Sequence, residues 1–381
     1  MQVHSGNFQL NSGWSEPHPV ALDSPQTLIL VFGAKAFENN TAPFEGLRGA
    51  FPQSVIAGCS TSGEISGACV NDNSISIAVS RFEHTRLRRA IAEVSDANDS
   101  PRAGAQLAAA LDGDDLRSVL VLSDGTVVNG TALVAGLAGG LKKDVSIFGG
   151  LAGDGSHFSS TWVLDNAVPR RNRVCAIGFY GDRLRIGHGC DHGWSDFGPE
   201  RRITRSEGNV LHELDGKPAL DLYKNYLGDL ASGLPGNALL FPLAIRRSED
   251  ETLPLVRTIL GVDEAQKSMT FAGDMPVGAI ARLMRASDDS LIDSASAAIA
   301  SANHDGIGAQ SGALVISVSC VGRRLVLGER TEEEVETILE GAPAGSQHIG
   351  FYSYGEISPT VSGGVSDLHN QTMTVTLLTE V

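Results

Sequence analysis

The chain has 381 residues and carries 45 acidic against 29 basic side chains, a formal charge of −16; that field repels phosphate backbones and anionic membranes, and no Lys/Arg stripe interleaved with aromatics offsets it. Its cysteines, Cys59, Cys69, Cys175, Cys190 and Cys320, are odd in number and lie far apart, which argues against a disulfide framework, a zinc ribbon and covalent c-type haem attachment. Met1 to Val20 lacks the basic-then-apolar pattern of a secretory signal and no window offers ~18 consecutive apolar residues, so a cytoplasmic chain of two domains is expected, its 44 glycines placed in turns.

In chain order, the apolar run Leu28 to Phe32 reads as a buried strand that ends in the small-residue loop Gly33-Ala34-Lys35. A helical segment and a second apolar run lead into the turn Gly58-Cys-Ser-Thr-Ser-Gly63-Glu64, and Ser74 to Val79 is a further strand. The same order recurs. Val119 to Leu122 ends in Ser123-Asp124-Gly125 and leads to Phe148-Gly-Gly-Leu-Ala-Gly153-Asp154. Leu314 to Val318 ends in the loop Cys320-Val321-Gly322-Arg323, before a helix over Thr331 to Leu339 whose Thr331 and Glu334 have capping-box spacing. The turn Gly350-Phe-Tyr-Ser-Tyr-Gly355-Glu356 and the strand Thr372 to Leu378 follow. The expected fold is therefore α/β, with mixed sheets built from repeated strand-loop-helix-strand-turn-strand units: a helix between two buried strands implies a parallel crossover, while the turn-linked strand runs antiparallel.

Between the second and third units, Arg202 to Leu214 alternates like one strand, and the turn signal Asp215-Gly216 suggests a boundary between Glu213 and Ala219. A helix over Ala219 to Leu227 comes next. Ala238 to Ile245 and Leu255 to Leu260 read as hairpin strands around the acidic turn Ser248 to Glu251; Ala279 to Arg285 is a strand and Asp289 to Ala302 a helix.

Three groups of residues could carry chemistry. The first turn offers a thiol, hydroxyls, open backbone and a carboxylate within a few residues, a recognition surface for a small polar ligand or a turn that satisfies its own backbone. Lys35, Arg323 and Arg324 place cations past strand ends, where α/β sheets bind ligands; ion pairing with Glu329, Glu332 or Glu356 is the competing role for the arginines. In His188-Gly-Cys-Asp-His192-Gly-Trp194, residues 188, 190 and 192 share one strand face and offer a metal or haem axial ligand, or simply a structural corner. Cys59 is a nucleophile only with a base or positive field beside it, and no histidine is near in sequence.

The three turns, together with His192-Gly-Trp194, Glu213-Leu-Asp-Gly-Lys-Pro-Ala219, Phe241-Pro-Leu243, Cys320-Val-Gly-Arg-Arg324 and Leu368-His-Asn-Gln-Thr372, resemble the FIST sensory domain in its N-terminal and C-terminal parts. The resemblance implies an N-terminal extension over 1–26, a FIST N-terminal domain over 27–216 and a FIST C-terminal domain over 217–381. It implies a role in signal transduction, binding small molecules such as amino acids, and with no nucleophile–base–oxyanion set visible in the sequence no enzymatic activity is expected. The length leaves no room for an output module, so a separate signalling partner such as a histidine kinase is expected. One branch of the family binds haem and senses nitric oxide, which makes haem b, with His188 or His192 as axial ligand, the alternative. The expected ligand contacts are Cys59, Ser60, Thr61, Gly63, Glu64, Asp154, Cys320, Arg323, Tyr352, Tyr354 and Glu356, with no metal site and no catalytic residue. A small-molecule enzyme using Cys59, or the carboxylate pair Glu64 and Glu356, is the alternative from another class.

Overall fold

The computed structural model describes residues 1–248, 254–304, 307, 313–360 and 363–381. Each predicted unit supplies two parallel strands joined by a right-sized crossover: Thr27–Ala34 beside Val55–Thr61, Leu116–Ser123 beside Ser146–Leu151, and Leu314–Cys320 beside Gln347–Ser353. The intervening helices, Ala42–Ala50, Gly130–Gly140 and Thr331–Gly341, bury an apolar stripe against the sheet they cross. A returning strand, Ser74–Arg81, Arg173–Tyr180 or Met373–Glu380, then runs antiparallel to the first strand of its unit.

The glycine turns do not stay within their units. Beyond the first turn, Glu64–Ser66 pairs with Gln347–Ser353 of the third unit, with Glu64 opposite Phe351. Beyond the third, Gly355–Pro359 pairs with Ser146–Leu151 of the second. Beyond the second, Val163–Asp165 joins Val55–Thr61 of the first, with Val163 opposite Cys59. Each unit thus lends a short hairpin to a neighbour, and the loans close into a ring of three. The resulting sheets share one strand order: borrowed hairpin, second parallel strand, first parallel strand, returning strand, and an outer strand that is Gln2–Gln9, Arg86–Glu93 or Leu184–Asp191.

The inner faces of all three sheets bury a common core, to which Leu30 and Phe32, Leu120 and Phe148, and Ile316 and Phe351 contribute. Helices cover the outer faces: Ser100–Leu111 and Gly130–Gly140 over the second sheet, Asp288–Ala302 over the third. One glycine per unit is dictated by the approach of the parallel pair. A Cβ on Gly58, Gly149 or Gly350 would lie 2.1, 2.0 or 2.1 Å from the carbonyl oxygen of Val31, Val121 or Ser317. Aligning the turns on their second glycine puts Phe148 in this place. The structure gives it to Gly149, because the second turn is one residue shorter.

Between Leu184–Asp191 and Asp288–Ala302 the chain builds a separate antiparallel module with its own core, including Ile203, Leu220, Tyr223, Met269 and Phe271. Several expectations change here. Arg202 to Leu214 is two strands, Arg201–Glu207 and Val210–Leu214, because Gly208 takes a φ of 56° and reverses the chain. Ala238 to Ile245 starts as a short 3-10 turn, Gly236–Leu240, and only Leu243–Arg246 pairs as a strand. Its partner Leu255–Arg257 confirms the hairpin, but the acidic turn falls largely on 249–253, outside the described residues. The turn at Gly216 lies inside another hairpin, with Leu214 opposite Lys217.

In the third unit, Val321–Leu327 is helical rather than a loop. The expected capping box is absent: Thr331 is already inside the helix, its hydroxyl donating to the Gly328 carbonyl at 2.6 Å, and Glu334 points inward to Arg323. The preceding 3-10 turn, Gly328–Arg330, leads directly into the helix, so the box has no open helix end to close.

Candidate functional site

A cavity of about 500 Å³ opens at the carboxyl ends of the first unit's parallel strands, the place where sheets of this class bind ligands because loops diverge there. Ala34, Lys35 and Ala36 leave one strand, Thr61 to Glu64 leave the other, Asp72 and Asn73 link the lent hairpin back to Ser74–Arg81, and Asp154, Gly155, His157 and Ser159 come from the second turn. The lining mixes both charges. Lys35 Nζ is steadied by Glu38 at 2.5 Å and the Ser160 hydroxyl at 2.6 Å.

The acid closing each turn anchors backbone. Glu64 accepts from the Thr61 hydroxyl and from the backbone N–H and hydroxyl of Ser74, at 3.1 and 2.8 Å, where the chain re-enters its own sheet. Burial pushes its pKa up to about 7 despite those donors. Glu356 does the same in the third unit, accepting from Ser353 at 2.6 Å and Thr372 N–H at 3.2 Å, and burial raises it too. Asp154 accepts from Ser159, from the Ser160 N–H and from the Tyr354 hydroxyl. Burial alone would raise Asp154, but these donors together hold it below the usual carboxylate value.

Of the expected contacts, Thr61, Gly63, Glu64 and Asp154 line this cavity, and Tyr354 stands behind Asp154. The others do not reach it. Strand alternation turns Cys59 into the central core, fully buried, its thiol pushed well up by desolvation; Ser60 is buried and receives the Trp162 N–H at 3.0 Å. Cys320 is buried with its thiol raised for the same reason. Arg323, expected at Glu329, Glu332 or Glu356, is fully buried against Glu334 at 2.5 Å and donates to the carbonyls of His192 and Leu291, both at 2.8 Å. Tyr352 donates to Glu334 at 2.8 Å, and Glu356 lies wholly inside the protein. Asp72, Asn73, His157 and Ser159 were missed. Lys35 alone had a signal, as a cation just past a strand end; the rest arrive from another sheet's hairpin and another unit's turn.

The histidine motif does not fit haem. His188 is buried on Leu184–Asp191 with Nδ1 at 3.1 Å from Thr376 and Nε2 at 3.0 Å from Ser146, so both ring nitrogens are engaged, and burial lowers its pKa to about 4. His192 Nδ1 accepts the Trp194 N–H at 2.9 Å. The cavity beside it is about 10 Å³, room for about one water. No group of three or more His, Cys, Asp or Glu side chains among the described residues is placed to hold a metal, and no helix among them is long and apolar enough to cross a membrane.

The ring of three makes the first cleft one of three related positions. In the third unit the corresponding space, between the Cys320 end, Tyr352 and the first turn, is filled by Arg324. Its guanidinium donates to the Ser62 carbonyl at 2.6 Å, forks onto Asp72 at 2.8 and 2.7 Å, and lies 5.6 Å over the Tyr352 ring. Gly63, at a φ of 140°, leaves room for it, since a Cβ there would sit 2.6 Å from Arg324 Nη1. Arg324 holds Asp72 below its ordinary pKa and fixes the wall of the first cleft.

Comparison with known proteins agrees with this architecture. The FIST N domain matches residues 27–217 and the FIST C domain residues 219–359. An uncharacterized protein of Methanocaldococcus jannaschii is 26% identical over 199 residues, which cover 49% of this chain and 38% of that protein; the chain thus spans well under half the length of this relative. The two matches meet at residues 217–219, just past the hairpin turn at Gly216 and inside the inserted module. The chain belongs to the FIST family, whose domains are associated with sensing small ligands in signal transduction.

Proposed function

We propose that this protein is a sensor that binds a small polar molecule, such as an amino acid, in the first cleft and passes the signal to a separate partner such as a histidine kinase. One observation carries the reading. Of the three related positions, the first is open at about 500 Å³ and lined by groups of both charges, whereas Arg324 fills the third. A zwitterion matches such a lining, with Lys35 for an anionic group and carboxylates opposite for a cationic one. A ligand there touches turns from two units and a hairpin on a third sheet, so its binding free energy acts on how the units meet, and a partner that distinguishes two arrangements can read it. The haem alternative has no support in the surroundings of His188 and His192. The enzyme alternative has none either, because Cys59 is sealed in the core and Glu64 and Glu356 anchor separate turns.

The test is a calorimetric and thermal-shift screen of amino acids and small carboxylates on the full chain, followed by His157→Ala and Lys35→Met. Each substitution is expected to weaken a hit by at least about tenfold. Hits that bind both variants as tightly as the wild type would remove the first cleft. Autophosphorylation of a partner kinase, with and without the hit, reads the signalling step.

A further inference from the structure

A second cavity, of about 180 Å³, lies at the corresponding place in the second unit. The loop from Gly125 to Asn129 leaves Leu116–Ser123 there to begin the helix Gly130–Gly140. The opposite wall belongs to the inserted module, through Asn209, Leu260 and Phe271 to Gly273. The cavity therefore spans a place where a ligand would touch both the ring of three and the module.

Its chemistry differs from that of the first cleft. Among the described residues no charged side chain lines it, in a chain of charge −16. Its polar side chains are turned to partners of their own: the Thr126 hydroxyl donates to Asp124 at 2.9 Å, Asn129 donates to Asp274 at 3.0 Å and accepts from Ala132 N–H at 3.1 Å, and Asn209 donates to the Phe271 carbonyl at 2.7 Å. Val127, Val128, Leu260 and the rings of Phe158, Phe271 and Tyr354 make up the rest of the surface that matters here. An apolar cavity of ~150 Å³ accepts a benzene ring, so the volume suits a single aromatic ring or a small fused pair.

We propose that this cavity is a binding site for a small, uncharged aromatic molecule, held against the stacked pair of Phe158 and Tyr354. Those rings lie 4.4 Å apart at 17°, and an offset third ring extends the stack. The site is tied to the first cleft. Phe158 sits between Gly155 and His157 on one side and Ser159 on the other, all lining the first cleft, and holds a left-handed φ of 51°. Its N–H donates to the Tyr354 hydroxyl at 3.1 Å, which in turn donates to Asp154. A molecule that moves either ring moves the wall of the first cleft. The assignment of a ligand to that cleft is not needed for this site to exist.

The experiment titrates phenol and indole as neutral probes, and benzoate and benzylamine as charged counterparts, into the full chain by ligand-observed NMR and calorimetry. Phenol and indole are expected to saturate at one molecule per chain and the charged probes to bind at least about tenfold more weakly. Ala97→Trp, on an exposed 3-10 turn at the rim, and Val128→Asp, which puts a charge in the wall, should each weaken the neutral probes by at least about tenfold. If Val128→Asp fails to fold, Ala97→Trp decides alone, because its side chain replaces solvent. Equal binding of charged and neutral probes, unchanged binding in the folded variants, or no saturable binding at millimolar concentration would each overturn the proposal.

Discussion

Glu64 shows how a single residue serves both fold and site. Its carboxyl borders the first cleft yet is nine-tenths or more buried, and its pKa stands at about 7 against an ordinary 4.5. A carboxyl raised on folding favours the folded state below its unfolded pKa and loses that contribution as pH rises through the folded one. A shift of this size corresponds to about 3 kcal/mol between the two limits. In Glu64→Gln, the unfolding free energy relative to wild type should therefore rise by about 3 kcal/mol from pH 4.5 to 7.5. Urea titrations of both proteins across that range check it, and a difference that stays flat with pH would show that folding leaves the Glu64 pKa where it is in the unfolded chain. The buried histidines act in the opposite sense: His188, with a pKa lowered to about 4, withholds stability as pH falls from 6.5 towards 4. Comparing the variant with wild type cancels that background.

At the scale of an element, the helix Thr331–Gly341 is held less by its ends than by one buried side chain. Glu334 meets Arg323 at 2.5 Å, Ser319 at 3.1 Å and Tyr352 at 2.8 Å with no exposure at either end of the ion pair. Removing one partner strands a buried charge. Glu334→Ala is expected to cost about 3–5 kcal/mol, and the double change Arg323→Met with Glu334→Leu about 2 kcal/mol less than that. Chemical denaturation of both variants distinguishes the cases; equal losses would mean the ion pair is not what fixes the helix. The helix itself was legible in the sequence, but its cap was not. Thr331 and Glu334 have the right sequence separation for a box, and only the placement of Arg323 on the neighbouring helical turn Val321–Leu327 turns Glu334 inward. The same holds for the Cys320 to Arg324 segment, which reads as a loop because Gly322 is a poor helix former, yet closes as a helical turn under the packing of Val321 and Leu327.

For the molecule as a whole, the exchange of hairpins makes the three sheets mutually dependent. The strands Glu64–Ser66 and Cys69–Asn71 take their sheet from Gln347–Ser353, and Ser146–Leu151 takes its neighbour from Gly355–Pro359. A fragment of residues 1–216 retains both of its parallel pairs but loses Ile316, Val318, Ile349 and Phe351 from the central core. It is expected to lack a cooperative thermal transition, whereas the ring of three in the full chain melts as one unit. Calorimetry with near-UV circular dichroism tests this, and a fragment that melts sharply with native-like aromatic signals would contradict it.

The repeated unit, the strands and helices within it, and the turns that carry glycine and an acid are all written locally in the chain, because they depend on short-range periodicity and on backbone conformations that few residues adopt. Even the cleft was half visible in Thr61, Gly63, Glu64 and Asp154. Which sheet each hairpin joins emerges from the folded arrangement, since a short strand such as Glu64–Ser66 carries too few side chains to specify its partner. That choice brings Asp72, Asn73, His157 and Ser159 beside Lys35 and puts Glu356 inside, while strand alternation turns Cys59 inward and the helices Asp288–Ala302 and Thr331–Gly341 enclose Arg323. Residues alike in sequence setting part company because burial is settled by what packs over them.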